Sequence, residues 1–319
     1  MPEAIELIDE GKRCESHGVL DRALENYSRA AETATDPATV AEALTNKSRV
    51  HCYLSEWEYA LEAARSAQET ARRAVESHVL ADAMVAEGHV LVCRGSFEEA
   101  LALFNRILDV TQDPRMRGIV LQNIGSILAQ QGKLGAAERA FAESFGWFRH
   151  AGYLLGEATA LNNHGRVALD RGNAQLAEQL LEQALSAARS AEYAELIALA
   201  TLNYAEALNA RGMPGKAEEQ ASTALGYFAT SGNRWREVEC LRLIGTINEG
   251  LGDCENATRC YERALRIAEE IGANQDISIV SDCLARIRAR SRPRPDRHET
   301  AKPSDRSERR ADTLRPPPA

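Results

Sequence analysis

The sequence lacks the features of membrane and secreted proteins. No stretch reaches the roughly 18 uninterrupted apolar residues of a membrane helix. The first ten residues contain neither a basic segment nor a long apolar run, so we expect no signal peptide. The seven cysteines include no CxxC pair and no Cys/His ligand spacing. This predicts reduced, mostly buried thiols, no metal site and a cytoplasmic location.

Signatures of catalysis are also missing. The chain has no Gly-rich phosphate loop, no HExxH and no GxSxG. Its seven histidines are scattered without the spacing of metal ligands. The sequence therefore predicts a protein that is not an enzyme, with no catalytic residues and no cofactor.

Charge is unevenly distributed along the 319 residues, which carry a net charge of −9. Residues 286–319 hold eleven basic and five acidic side chains, a net +6, which leaves −15 for residues 1–285. The end of the chain is also rich in Pro, so we predict a disordered basic tail over 291–319. The acidic body should repel phosphates, so nucleic acid could bind only through this tail.

A repeat organises the rest of the sequence. Seven alanines stand 37 or 40 residues apart: Ala23, Ala60, Ala100, Ala137, Ala177, Ala217 and Ala257. Twelve residues before each stands a small residue, Gly11, Ser48, Gly88, Gly125, Gly165, Ala205 or Gly245. Five residues before each stands a turn residue, Gly18, Ser55, Gly95, Gly132, Gly172, Gly212 or Gly252. Such a period predicts stacked helical hairpins, each of which buries its apolar face against its neighbours.

The segments 172–184 and 252–264 resemble tetratricopeptide repeats, and the resemblance covers about residues 4–270. The units exceed the usual 34 residues of that family. They are similar to the long repeats of kinesin light chains, of adaptors with an asparagine-lined groove and of the regulatory arm of LuxR-type ATPase activators. Segment 156–163 looks most like the last group.

The resemblance implies an all-α, right-handed superhelical solenoid. We predict a solenoid domain over 1–290, with a capping helix over 275–290 after seven hairpins. The predicted hairpins are 4–37, 41–74, 81–113, 118–151, 158–190, 198–230 and 238–272.

Asparagine recurs at one position of the unit, fourteen residues before the register alanine. Four units carry it there, as Asn46, Asn123, Asn163 and Asn203. Asn is a poor residue inside helices, so its recurrence needs a reason. In the resembled families this position faces the concave groove, where an amide can bond the backbone of a bound peptide. The alternative is that these amides bond one another between units.

Neighbouring positions on the same helix face extend the predicted groove. Ser126 and Gln130 follow Asn123 at helical spacing. Arg49 and Arg166 occupy the same face and could pair with an acidic ligand side chain, or with a carboxylate of the array itself.

Two functions fit these residues. The first is a non-enzymatic adaptor and scaffold that binds an extended peptide segment of a protein partner. The second is a regulatory or sensor lobe that binds a peptide or small effector and controls a separate transcriptional or signalling partner. The sequence leaves the partner, the pathway and a homo-oligomeric state open.

Overall fold

The computed structural model describes residues 2–16, 19–74 and 77–291. Within these ranges the chain forms fifteen α-helices and no strand. The helices are α1 Pro2–Ser16, α2 Leu20–Thr33, α3 Pro37–Tyr53, α4 Trp57–Ala71, α5 Ser77–Cys93, α6 Phe97–Val110, α7 Pro114–Gln130, α8 Leu134–His150, α9 Leu154–Asp170, α10 Ala174–Ser190, α11 Ala194–Ala210, α12 Pro214–Ser231, α13 Arg234–Leu251, α14 Cys254–Glu270 and α15 Asn274–Ser291. The prediction of an all-α helical solenoid is confirmed.

The helices pair as consecutive antiparallel hairpins, from α1/α2 to α13/α14, and α15 packs against α14 and α13. Each odd-numbered helix also contacts the odd-numbered helix of the next hairpin. Among the described helices, no two even-numbered ones contact each other. The odd-numbered helices therefore form one continuous inner wall, and the even-numbered helices form the outer layer.

Left-handed backbone ends the first helix of most hairpins. Gly95, Gly132, Gly172, Gly212 and Gly252 have φ between 71° and 83° at the turn position of the repeat. A residue without Cβ adopts this conformation at low cost, which explains the recurrent glycine. The second hairpin has Ser55 there instead, with φ 59°.

Side-chain volume is matched inside each hairpin. A Cβ added to Gly125 would lie 2.8 Å from the ring of Phe141 on the facing helix. The same close contact joins Gly11 to Tyr27, Gly88 to Phe104, Gly165 to Leu181 and Gly245 to Tyr261. In the two hairpins where the small residue is Ser48 or Ala205, the residue four after the register alanine is only an alanine, Ala64 or Ala221. A small residue thus lets the helices approach, and the facing residue fills the space that is left.

Helix starts follow local chemistry. Asp36 accepts a hydrogen bond from the Thr39 amide at 2.8 Å, immediately before Pro37 at the start of α3. At α7, Asp113 accepts from the Arg115 amide at 3.0 Å, immediately before Pro114. These pairs combine an N-cap acceptor with a residue preorganised for the first turn.

The described part of the chain includes no helix with the length and apolarity needed to cross a bilayer. The predicted basic tail lies outside the described residues, apart from Ser291 at the end of α15.

Candidate inner-wall binding site

All the residues that the sequence assigned to the groove lie on odd-numbered helices, and hence on the inner wall. The eight residues are Asn46 and Arg49 on α3, Asn123, Ser126 and Gln130 on α7, Asn163 and Arg166 on α9, and Asn203 on α11. Their surroundings differ from one unit to the next.

Two members of the asparagine row take part in a chain of amides between units. Asn203 is 7% exposed, and its Nδ2 donates to Oδ1 of Asn162 at 2.8 Å. Asn162 in turn donates to Oδ1 of Asn163 at 3.2 Å. Asn203 is therefore bonded between units, whereas Asn163 is bonded to its neighbour Asn162 on the same helix. Sequence reasoning missed Asn162, although the Asn-Asn pair at 162–163 was a visible signal.

The other two members of the row lie nearer the beginning of the chain. Asn123 is half-buried on α7, and its Nδ2 donates to the Ile119 carbonyl of the same helix at 2.9 Å. Its Oδ1 is therefore the atom that can accept a bond from a ligand N–H. Asn46 is 5% exposed, and its Nδ2 has no hydrogen-bond partner.

Both arginines form ion pairs within the array. Arg49 donates from Nε and Nη2 to the two carboxylate oxygens of Glu15 on α1, at 2.6 and 2.8 Å. Arg166 pairs with Glu206 on α11 at 2.5 Å and with Asp170 at 3.2 Å. The sequence left two roles open for these arginines, pairing with an acidic ligand side chain or with a carboxylate of the array. In the structure both arginines pair with carboxylates of the array.

The environment of Glu15 favours its charged form. Burial raises the pKa of this carboxyl, but hydrogen bonds from Arg49 and Tyr27 outweigh burial and hold the pKa below its usual range. The pair thus ties α1 to α3 with a carboxylate that is ionised at neutral pH.

Ser126 and Gln130 lie on the last two turns of α7. Ser126 is half-buried and donates to the Gln122 carbonyl of its own helix at 3.0 Å. Gln130 is exposed at the end of the helix.

A groove of about 550 Å³ opens on the inner wall between α3, α5 and α7. Its charged and polar lining includes Glu42, Arg49, His78, Asp82, His89 and Asn123. Lys12 forms an ion pair with Glu42 at 2.9 Å. Desolvation raises the pKa of Asp82, although His78 opposes this effect. The sequence had assigned only Arg49 and Asn123 of this lining to the site, because the third unit has Ala86 in the asparagine register.

A second groove of about 390 Å³ lies further along the wall, near the starts of α9 and α11. It is lined mainly by apolar and aromatic side chains, including Phe148, Tyr153, Tyr193 and Leu199. The guanidinium of Arg115 stacks 4.3 Å from the ring centre of Tyr153. This groove offers apolar contact together with hydrogen-bonding groups from Gln122, Thr159, Glu195 and Arg236.

A sulphur and imidazole cluster adjoins the first groove. Sγ of Cys52, Sγ of Cys93 and a ring nitrogen of His89 all lie within 4.8 Å of one another. Hydrogen bonds from Cys52 and His89 hold the pKa of the Cys93 thiol well below its usual range. The sequence did not connect these residues, because Cys52 belongs to another helix. The available signal was the repeat itself, which places Cys52 and Cys93 at adjacent register positions of successive units.

Comparison with known proteins supports the fold. A family model for the tetratricopeptide repeat matches residues 117–190. Regulatory protein AfsR of Streptomyces griseus is 26% identical over 243 residues, which cover 66% of this chain and 25% of AfsR. The chain therefore spans about a quarter of that relative's length.

Two solved structures have a similar fold at low identity. A signal-transduction ATPase with a tetratricopeptide repeat sensor, from Pyrococcus horikoshii, superposes with a TM-score of 0.64 at 14% identity, over 86% of this chain and 44% of that one. A Rap protein complexed with competence and sporulation factor superposes with a TM-score of 0.62 at 13% identity, over 90% of this chain and 85% of that one. These matches confirm the resemblance to tetratricopeptide repeats.

Proposed function

We propose that this chain, a solenoid of tetratricopeptide repeats, is a non-enzymatic cytoplasmic adaptor that binds an extended segment of a partner protein. The binding site is the groove between α3, α5 and α7. The observation that carries this proposal is a cavity on the inner wall whose polar lining comes from three successive units.

The dimensions suit a short extended segment. Neighbouring packed helices lie about 8–10 Å apart, and an extended chain advances roughly 3.3 Å per residue. Three inner helices therefore span about five or six residues of an extended segment. The volume of about 550 Å³ falls inside the usual range of ligand pockets, roughly 300–1,000 Å³.

The charges favour a segment with basic side chains. Arg49, the arginine in the groove lining, is already bonded to both oxygens of Glu15. Glu42 and Asp82 contribute carboxylates to the lining, and that of Glu42 pairs with Lys12. Residues 1–285 carry a net charge of −15. A Lys or Arg of the ligand would complement the Asp82 carboxylate, while the Oδ1 of Asn123 would accept from its backbone. The proposed ligand side chain is therefore basic, whereas an acidic one was among the two alternatives that the sequence left open for Arg49.

A regulatory sensor lobe is the second candidate. AfsR is a regulatory protein, and the archaeal neighbour carries its repeats as a sensor. The Rap neighbour was solved in complex with competence and sporulation factor. In this version the groove binds a peptide or small effector, and the solenoid changes shape to control a separate transcriptional or signalling partner. Small-angle scattering with and without ligand separates the two, since only the sensor needs a change in dimensions.

Selection from a displayed library of random peptides tests binding and does not require the identity of the partner. Ala86 on α5 lines the groove, so Ala86→Arg would place a bulky cation inside it. Ala102 is exposed on the outer helix α6, so Ala102→Arg adds the same charge outside the groove. Peptides enriched on the wild type should bind Ala86→Arg more weakly and Ala102→Arg equally well.

The expected loss for Ala86→Arg is at least about tenfold, which corresponds to ~1.4 kcal/mol. Enriched peptides should contain Lys or Arg. If no peptide is enriched, or if Ala86→Arg binds the enriched peptides as tightly as the wild type, the groove is not the binding site.

A further inference from the structure

Three metal-ligating side chains meet at the boundary between the second and third hairpins. Cys52 lies on the last turn of α3, and His89 and Cys93 lie on α5. One ligand atom from each of the three falls within 4.8 Å of the other two. Across the described residues, this is the one group of three or more His, Cys, Asp or Glu side chains with such geometry.

Helical spacing brings two of the ligands together. His89 and Cys93 are four residues apart, so they lie on one face of α5. Zinc-binding helices use the same spacing to present two ligands to one ion. Sγ of Cys93 lies 3.9 Å from each ring nitrogen of His89, so rotation of the imidazole can turn either nitrogen toward an ion.

The third ligand comes from a fixed position. Cys52 is 6% exposed and packs in the core cluster with Leu91, so its helix holds the sulphur in place. Cys93 and His89 are exposed, and His89 lines the groove. The cluster therefore has a buried side formed by α3 and an open side toward the groove.

We propose that Cys52, His89 and Cys93 bind one Zn²⁺ ion, with a fourth coordination position open to the groove. Zn²⁺ prefers thiolate and imidazole ligands in tetrahedral geometry, with bonds of about 2.3 Å to sulphur and 2.0–2.1 Å to nitrogen. Those bonds place the ligand atoms roughly 3.5–3.8 Å apart. Side-chain rotations that move the ligand atoms by about 1 Å would bring them from their separations in the structure to this spacing.

Charge balance supports a dication. In the bound state both sulphurs are thiolates, and their two charges neutralise Zn²⁺. No other charge needs to be buried with the ion. This inference does not depend on the proposal of peptide binding, because all three metal ligands belong to this chain.

Two alternatives make opposite predictions for the same thiols. Cys52 and Cys93 could form a disulfide under oxidising conditions, which would remove both sulphur ligands. The three side chains could also be packed together without any affinity for metal. Metal titration and thiol analysis of the purified chain separate these cases from a zinc site.

The experiment uses the full chain, stripped with a chelator under reducing conditions and then desalted. Zn²⁺ is titrated in competition with a chromophoric chelator, and Co²⁺ serves as a spectroscopic probe. The wild type should bind one equivalent of Zn²⁺. Its Co²⁺ form should show thiolate charge-transfer bands and the strong visible bands of a tetrahedral ion.

Variants identify the ligands. Cys93→Ser and His89→Asn change exposed residues and should fold normally, which circular dichroism can verify, while Cys52→Ser tests the buried ligand. Loss of an outer-shell partner typically costs about 10–100-fold in metal affinity, so loss of a ligand should cost at least that much. The matched controls Cys254→Ser and His150→Asn remove a thiol and an imidazole elsewhere, and both should bind Zn²⁺ like the wild type.

Three results would overturn the proposal. The first is failure of the reduced wild type to bind one equivalent of Zn²⁺. The second is wild-type affinity in folded Cys93→Ser and His89→Asn. The third combines two observations: the reduced chain binds no metal, and a non-reducing digest of the oxidised chain yields a peptide pair linked by Cys52 and Cys93. That outcome would assign a redox pair instead.

Discussion

The amide chain between α9 and α11 allows a quantitative test of what the asparagine row does. Asn203→Ala removes the donor to Asn162 and leaves a buried Oδ1 without its partner. A buried polar group left unsatisfied costs about 1–3 kcal/mol. Alanine is the better helix former and returns up to ~0.7 kcal/mol. The free energy of unfolding should therefore fall by about 0.3–3 kcal/mol.

Asn123→Ala is the matched control. Asn123 is half-buried, and its amide bonds only the Ile119 carbonyl of its own helix. Its replacement should change stability by less than about 0.5 kcal/mol, in either direction. The double variant Asn162→Ala/Asn203→Ala removes both partners, so it should be less destabilised than the sum of the single variants.

Urea unfolding gives the midpoints for five proteins: the wild type, the single variants Asn123→Ala, Asn162→Ala and Asn203→Ala, and the double variant. Because repeat arrays can unfold in parts, amide hydrogen exchange in α9 and α11 is measured alongside. The argument would be refuted if Asn203→Ala had the stability and the hydrogen exchange of the wild type but bound a selected peptide more weakly. Asn203 would then be a ligand contact.

Three further variants test the fold and its electrostatics. Gly125→Ala should lower the free energy of unfolding by about 1–2 kcal/mol because its Cβ would press on Phe141. Adding Phe141→Leu should recover part of this loss. If nothing is recovered, the volume match is contradicted. Ser55→Gly should raise the melting temperature, because a residue with a side chain pays about 1–2 kcal/mol to adopt φ 59°. This cost exceeds the extra entropy that Gly gives the unfolded chain. A lower melting temperature would contradict the prediction. Glu15→Gln should destabilise the chain at neutral pH. The folded-state pKa of Glu15 lies below its unfolded value of about 4.3, so the stabilisation is present above that pH and lost as the pH falls through the folded pKa. Melting curves from pH 7 down to about pH 3 should therefore show the gap between variant and wild type closing, and a gap independent of pH would exclude the ionised pair as its source.

The repeating parts of the fold could be predicted because their causes are local and recur in most hairpins. A glycine at the turn position is required by a positive φ, as at Gly132 and Gly172. A glycine facing a large residue is required by helix separation, as for Gly125 and Phe141. Each cause acts within one hairpin, so it appears in the sequence at a fixed spacing.

The site was harder to predict because its contacts join different hairpins. Arg49 bonds Glu15, which is 34 residues away in sequence, and Asn203 bonds Asn162, which is 41 residues away. Such partners depend on how one hairpin is rotated against the next. The register identifies the inner wall, but it does not say whether a polar side chain there meets a ligand or its neighbour in the array.

The distribution of those contacts indicates which part of the wall can bind a ligand. Beyond α8, several polar groups of the wall are tied between hairpins by pairs such as Asn203–Asn162, Arg166–Glu206 and Arg286–Glu249. A ligand that used these groups would have to break their bonds before it formed its own, which lowers its net affinity. The groove between α3, α5 and α7 instead presents an open cavity with hydrogen-bonding groups.

Peptide binding should therefore change protection at one end of the solenoid. Amide hydrogen exchange is slowed where a ligand stabilises the closed structure. With a selected peptide at saturation, exchange should slow in α3, α5 and α7, while α11 and α13 should exchange as before. The Ala86→Arg variant, under the same conditions, should show no slowing in α3, α5 or α7, which ties the effect to the groove. Slower exchange confined to α11 and α13 would instead place the ligand on the tied part of the wall and contradict the assignment.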